Sequence, residues 1–268
     1  MKQRIIATAI LWAIVITLPL LLGKWGAFIL IAAFGTGAFY ELLELLRQAG
    51  RPVDRNVALP AFVVILLAAI LIPPWILPPV AILAAGLAIT FIASLFKTGV
   101  GSFGSVAMIT VGALILMLMP FFTAALMVHE SGIILAVWVV AVAKFGDVGA
   151  LLTGLWIGKT KMAPAFSPKK TWEGLAGGVV LSVLVSVGFV LMAKDSLPAG
   201  LTILTAAISG VLICLAGVIG DLIESAFKRE AKVKDSGTII RGIGGVFDLA
   251  DSLILAFPTA YFINWLLF

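Results

Sequence analysis

Charge is what this sequence has least of. Only 12% of its 268 residues are Asp, Glu, Lys or Arg, about half the share of an ordinary soluble domain. A water-facing surface cannot be built from so few, because 62% of the chain is apolar before its 27 glycines are counted. The same apolar content excludes a disordered chain. A single cysteine, Cys214, excludes an intrachain disulfide framework. A single histidine, His129, argues against His-ligated zinc and against histidine acid–base chemistry. No Walker A pattern is present. The net charge of +5 raises nucleic acid as a partner, but the basic residues fall between apolar runs, where they mark membrane topology instead.

An apolar helix needs about 20 residues to cross the hydrocarbon. Nine segments have that character: roughly 5–22, 25–45, 57–76, 78–96, 104–126, 132–157, 174–193, 200–224 and 246–267. The expected fold is all-α, a polytopic integral membrane protein with about nine transmembrane helices. The first segment follows Lys2 and Arg4, is long for a signal peptide and lacks a small-x-small cleavage site before Lys24, so it is expected to be retained. Segments three and four are separated only by the proline-rich stretch from Pro73 to Pro79, which fits a tight outer turn or a broken helix. With the N-terminus in the cytoplasm, 15 basic residues fall inside: Lys2, Arg4, Arg47, Arg51, Arg55, Lys97, Lys159, Lys161, Lys169, Lys170, Lys228, Arg229, Lys232, Lys234 and Arg241. Lys24 and Lys194 fall outside, and Lys144 lies within a span. That separation predicts a cytoplasmic N-terminus and an external C-terminus.

The acids cluster differently. Residues 1–130 hold few of them and are expected to be scaffold helices with dimer contacts, whereas 131–268 form the expected catalytic region. Asp221, Glu224, Ser225 and Lys228 share one helical face. Asp221 lies about 10 Å from Lys228 along the axis at 1.5 Å per residue, and Asp248 and Asp251 enter the last span from the same side. Carboxylates in hydrocarbon cost about 2.5–3.5 kcal/mol each, so they persist when paired, hydrated or bound to a cation. Pairing with neighbouring Lys or Arg is one reading; three acids at one depth fit a hard cation such as Mg2+ better. Asp147 with Lys144 reads equally as a buried ion pair or as part of a substrate site.

Two inner loops accompany these acids. One runs from Gly158 to Gly174 with four lysines and two prolines, a stiff cationic connector that also attracts anionic lipid headgroups. The other carries five basic residues and then Gly242, Gly244 and Gly245 just ahead of a helix. Glycines there let backbone N–H groups approach phosphate, and with Asp248 and Asp251 a turn later they describe a phosphate and metal site.

These residues resemble the phosphatidate cytidylyltransferase (CDP-diacylglycerol synthase) family. Its C-terminal pattern is matched by Ser225, Lys228, Arg229, Lys234, Asp235, Gly242, Gly244, Gly245, Asp248 and Asp251. The run from Ser167 to Gly174 and the segment from Asp147 to Ala150 also look like family elements, and the resemblance covers about residues 140–258. Where the family has proline, histidine and arginine, this chain has Arg241, Ile243 and Leu249, so an imidazole contributed by that turn is not available here. The resemblance implies an Mg2+-dependent reaction of phosphatidic acid with CTP, giving CDP-diacylglycerol and pyrophosphate, with a second, monovalent cation as a candidate helper. It implies Asp221, Asp248 and Asp251 as catalytic metal ligands, with Lys228 and Arg229 on phosphate. Lys169, Lys170 and Lys234 would also contact phosphate, Asp235 and Glu173 would orient those cations, and Ser167, Thr171, Ser225, Asp147 and the three glycines would line the substrate site. It further implies a homodimer among membrane lipids, with no nucleic acid partner, in a bacterial inner (plasma) membrane with the site facing the cytoplasm.

Rival readings are a CTP-dependent polyprenol or phytol-type lipid kinase, which would release CDP, another lipid cytidylyltransferase, or an ion-coupled transporter. A transporter predicts acids near the midplane and repeated halves; here the acids lie to one side and the halves differ.

Overall fold

The computed structural model describes residues 2–51, 54–72, 79–98, 103–237 and 244–267. Its helices are α1 (Lys2–Leu22), α2 (Lys24–Gln48), α3 (Arg55–Leu71), α4 (Pro79–Thr98), α5 (Phe103–Leu126), α6 (Gly132–Ile157), α7 (Trp172–Ala193), α8 (Ile203–Glu230), α9 (Val246–Ala250) and α10 (Leu253–Leu267). They track the apolar runs because hydrocarbon offers the backbone no hydrogen-bond partner, and only a helix satisfies its own N–H and C=O groups. Among the described residues, six segments are long and apolar enough to cross a membrane: 24–48, 103–126, 132–157, 172–196, 203–230 and 246–266. The chain is an all-α polytopic membrane protein.

Three local features differ from the expectation. Helix α3 stops at Leu71, short of residue 76; the proline-rich stretch 73–78 lies outside the described residues, as does Gly242 with Arg241 and Ile243. The connector after α6 is a short antiparallel hairpin, β1 (Lys161–Ala163) with β2 (Ser167–Thr171). The last apolar run is interrupted at Asp251 and Ser252, where Ser252 N donates to Asp251 Oδ1 at 2.5 Å. A side chain that satisfies a backbone N–H locally competes with the helical ladder and favours a break.

The chain forms two compact units, Met1–Ala124 with Phe227–Ala250, and Ala125–Ala226 with Asp251–Phe268. In the first, α2 packs on α1, α3 and α9. Phe39 stacks on Phe62 with ring centroids 4.2 Å apart, and Leu42, Leu46, Leu66 and Ile109 of the same unit are buried as well. Lipid is as apolar as these side chains, so close dispersion contact rather than water exclusion holds such helices together.

In the second unit α6 and α7 meet along a seam of small residues. A Cβ on Gly149 would come within 2.8 Å of the Gly177 carbonyl oxygen, and one on Gly178 within 2.9 Å of that of Gly146. Backbones this close leave room for interhelical hydrogen bonds. Ser182 Oγ donates to Val142 O at 3.0 Å, Trp138 Nε1 to Ser186 Oγ at 3.1 Å, and Ser186 Oγ to Ala206 O at 2.6 Å. Leu151, Leu155, Trp156, Leu184 and Met192 are exposed, as expected of helix faces that meet acyl chains.

Candidate active site

Within the second unit, four acids and two lysines form one connected group. Asp221 and Glu224 stand one turn apart on α8, and Asp251 occupies the break between α9 and α10. Each offers a carboxylate oxygen, and these oxygens lie within 4.8 Å of one another. Glu224 is fully buried. Helix α6 adds Lys144 and Asp147, again one turn apart. The Lys144 ammonium lies 3.5 Å from Asp147 Oδ2 and 3.5 Å from Asp251 Oδ1, and donates to Ser252 Oγ at 2.8 Å. Ser252 Oγ in turn donates to Asp147 Oδ2 at 3.0 Å. Asp147 is therefore an ion-pair partner, one of the two readings the sequence left open, and it also adjoins the acidic group.

The hairpin delivers the second lysine. Lys170 Nζ lies 2.7 Å from Asp221 Oδ2 and donates to Val218 O at 3.2 Å. Strand alternation sends neighbouring side chains to opposite faces, so Lys169 is exposed while Lys170 is half-buried. Ser167 is half-buried in the register pair with Ala163. Thr171 caps α7, its hydroxyl accepting from Gly174 N at 3.1 Å. Glu173 accepts from Lys159 N at 3.2 Å, Thr160 N at 3.1 Å and Thr160 Oγ1 at 2.8 Å. It ties down the backbone ahead of the hairpin, where the sequence reading had it orient a lysine. Ser225 Oγ donates to Asp221 Oδ1 at 3.4 Å.

The donor set of this group is all oxygen, the chemistry of a hard cation. Asp221, Glu224 and Asp251 bring their oxygens close enough together to hold one divalent ion. The residues fit a divalent cation such as Mg2+.

The first unit carries the other motif residues. Lys228 Nζ lies 2.8 Å from Asp248 Oδ1, while Asp248 Oδ2 accepts from Ser236 N at 3.0 Å, Ser236 Oγ at 2.9 Å and Gly245 N at 2.7 Å. Gly245 precedes α9 and Asp248 is its third residue, so this is the acid-to-cap half of a capping box. Gly244 has φ +131°, a backbone region that only glycine enters without strain. Arg229 donates to Val233 O at 3.3 Å, closing the end of α8. There Val233 N donates to Lys228 O at 3.0 Å and Lys232 takes φ 56°, a Schellman ending without the usual glycine. Lys234 and Asp235 are exposed.

The structure thus gathers Asp221 and Asp251 with Glu224, an acid that the sequence reading noted but left without a role. Asp248 has its own set of partners in the other unit. Ser252 and Glu41 were also left without a role. The signal for Glu224 was its spacing three residues after Asp221; for Glu41 it was a charge within an apolar run, and for Ser252 there was none.

Comparison with known proteins gives a consistent picture. A phosphatidate cytidylyltransferase of Bacillus subtilis is 32% identical over 278 residues, covering 98% of this chain and 97% of its own. One of Pseudomonas aeruginosa is 32% identical over 277 residues, covering 99% and 97%. One of Haemophilus influenzae is 39% identical over 127 residues, covering 47% of this chain and 44% of its own. The sequence profile of the cytidylyltransferase family matches residues 2–267, and the chain belongs to that family.

Proposed function

We propose that this chain transfers the cytidylyl group of CTP to phosphatidic acid, releasing pyrophosphate and forming CDP-diacylglycerol. The observation that carries the reading is the carboxylate group Asp221, Glu224 and Asp251, able to hold a divalent cation, in a chain aligned end to end with phosphatidate cytidylyltransferases.

A lipid phosphate oxygen attacks the α-phosphorus of CTP; the bond from that phosphorus to the α,β-bridging oxygen breaks, and its electron pair leaves with pyrophosphate. The lipid phosphate is already a nucleophile, so no serine or cysteine is required. The difficulty is bringing two polyanions together, and positioned cations solve it by stabilising charge that shifts toward the leaving group. Asp221, Glu224 and Asp251 would hold a divalent cation, which supplies charge neutralisation at the phosphoryl oxygens. Lys170 exchanges its Asp221 contact for phosphate. Lys169 is a further phosphate ligand beside it; Lys228, held by Asp248, and Arg229 and Lys234 are candidate phosphate ligands in their own unit, with the Gly244 backbone N–H in the turn ahead of α9. Asp235 orients the neighbouring cations, and Asp248, the remaining acid of the sequence motif, keeps Lys228 and that turn in place. A monovalent cation is a candidate second helper. Ser167, Thr171 and Glu173 keep the hairpin in the conformation that presents Lys170, while Ser225 and Asp147 orient the acids.

We also propose nine spans, α1 to α8 plus the α9–α10 segment, with the N-terminus cytoplasmic and the C-terminus outside. The asymmetry of Lys and Arg supports this orientation, and so does the chemistry, since CTP arrives from the cytosol and phosphatidic acid diffuses in the inner membrane. Residues 1–130 serve as scaffold and dimer contacts and 131–268 as the catalytic region. The test is purified protein with phosphatidic acid, labelled CTP and Mg2+. CDP-diacylglycerol with stoichiometric pyrophosphate is expected. Release of CDP with a phosphorylated lipid, or no nucleotidyl product, refutes the reading.

A further inference from the structure

Glu41 is a buried acid that the reaction above does not use. It lies in α2 within an apolar stretch, and only 2% of it is exposed. A carboxylate in such surroundings needs strong partners, and they come from far along the chain. Its Oε1 accepts from Val246 N at 2.9 Å, and its Oε2 from Phe247 N at 2.9 Å and from Ser236 Oγ at 2.9 Å. Val246 and Phe247 open α9, where the first N–H groups of a helix have no intrahelical acceptor.

The fit around this carboxylate is close. A Cβ on Gly237 would collide with Glu41 Oε1, and one on Gly245 with Glu41 Oε2 and Ser236 Oγ. The Ser236 hydroxyl lies 2.9 Å from Glu41 Oε2 and 2.9 Å from Asp248 Oδ2. One hydroxyl therefore links two carboxylates, and the second of them holds Lys228 at 2.8 Å. The chain of contacts runs Glu41, Ser236, Asp248, Lys228, all within the first unit.

We infer that Glu41 is a positioning residue for cytidylyl transfer. It fixes the Gly244–Gly245 turn and Asp248, and through Asp248 the Lys228 ammonium. The kinetic consequence rests on the function proposed above; the hold on the turn does not. A Glu41 that merely staples α2 to α9 would affect stability alone.

Glu41→Gln keeps the side-chain volume and one acceptor, but turns an amide NH₂ toward a group that donates. The expected result is a fall in kcat of about 10–100-fold, the scale of a lost charge-assisted hydrogen bond. The KM for CTP should change by less than about threefold, since Glu41 touches no substrate and acts on alignment. Hydrogen exchange at the Val246 and Phe247 amides should accelerate. Glu41→Gln with Ser236→Ala should be non-additive, losing no more than about twofold beyond Glu41→Gln alone, because both act on one turn. Unchanged kcat, unchanged exchange at those amides, or multiplicative loss in the double variant overturns the inference. If Glu41→Gln does not accumulate, Ser236→Ala, which removes one hydroxyl, decides: a folded protein with kcat about tenfold lower is expected, and an unchanged kcat overturns it. If the parent protein makes no CDP-diacylglycerol the functional reading fails, whereas the exchange measurement still reports whether Glu41 holds the turn.

Discussion

Replacing Glu224 with glutamine separates the acidic group found in the structure from the one legible in the sequence pattern. Glu224 is fully buried on α8, and its carboxylate shares a group with those of Asp221 and Asp251, oxygens within 4.8 Å. Glutamine has the same shape, so the helix and its packing survive while one negative charge goes. An ion among oxygens that lie within 4.8 Å of one another is nearer than that to each, so at an effective dielectric constant of about 20 a dication and one unit charge there attract by at least about 7 kcal/mol. Repulsion among the carboxylates exists with and without the ion and drops out of the binding difference. Rearranged water and neighbouring dipoles recover part of the loss, but even half, about 3.5 kcal/mol, weakens cation binding several hundred-fold. The assay is pyrophosphate release as a function of Mg2+ concentration, with thermal unfolding in chelator as the control. The half-saturating Mg2+ concentration should rise by at least a hundredfold, with unfolding in chelator unchanged or shifted upward. A variant whose Mg2+ dependence and rate stay within about twofold of the parent refutes the assignment of Glu224 to the cation and the electrostatic argument with it.

Lys144→Met removes the ammonium between Asp147 and Asp251; with the lysine side chain 27% exposed, the loss should be near the low end for a broken buried pair, about 3 kcal/mol. Thermal unfolding in detergent measures it, Asp147→Asn should recover part of the loss, and an unaltered Tm refutes it. Asp248→Asn should cut turnover at least a hundredfold while the protein stays folded, because it loses the charge that holds Lys228 and weakens the cap of α9; near-normal rates would remove Asp248 from the reaction. Gly245→Ala should abolish activity by driving a methyl into Ser236 and Glu41, whereas Gly104→Ala, with nothing within 4 Å, should leave rate and Tm near those of the parent.

Helix placement was legible because hydrocarbon enforces one rule on every residue of a span, and apolar runs declare it. The break at Asp251–Ser252 was not, since an apolar count over 246–267 is blind to one serine N–H satisfied by the preceding carboxylate. The hairpin escaped for a related reason: Lys161–Ala163 and Ser167–Thr171 have no apolar alternation to mark a strand. At the site, Asp221 and Asp251 were found from their depth and spacing. Glu41 was passed over because its partners, Ser236, Val246 and Phe247, lie about 200 residues on, and no local pattern encodes that distance. The pairing of Asp221 with Lys170 depends on which face of a two-stranded ribbon a lysine takes, and only strand register decides that.

Four lysine–aspartate pairs among the described residues share an order along the chain. Lys144 precedes both Asp147 and Asp251, Lys170 precedes Asp221, and Lys228 precedes Asp248. A ribosome makes the chain from its N-terminus, so each of these aspartates emerges after the lysine it pairs with. Lys144 and Asp147, one turn apart, enter the bilayer already compensated as part of a single helix. Asp221 and Asp251 then arrive to counter-charges that earlier segments have brought in. Carboxylates are costly to admit to lipid alone, and this order gives each of these aspartates a lysine already present in the chain.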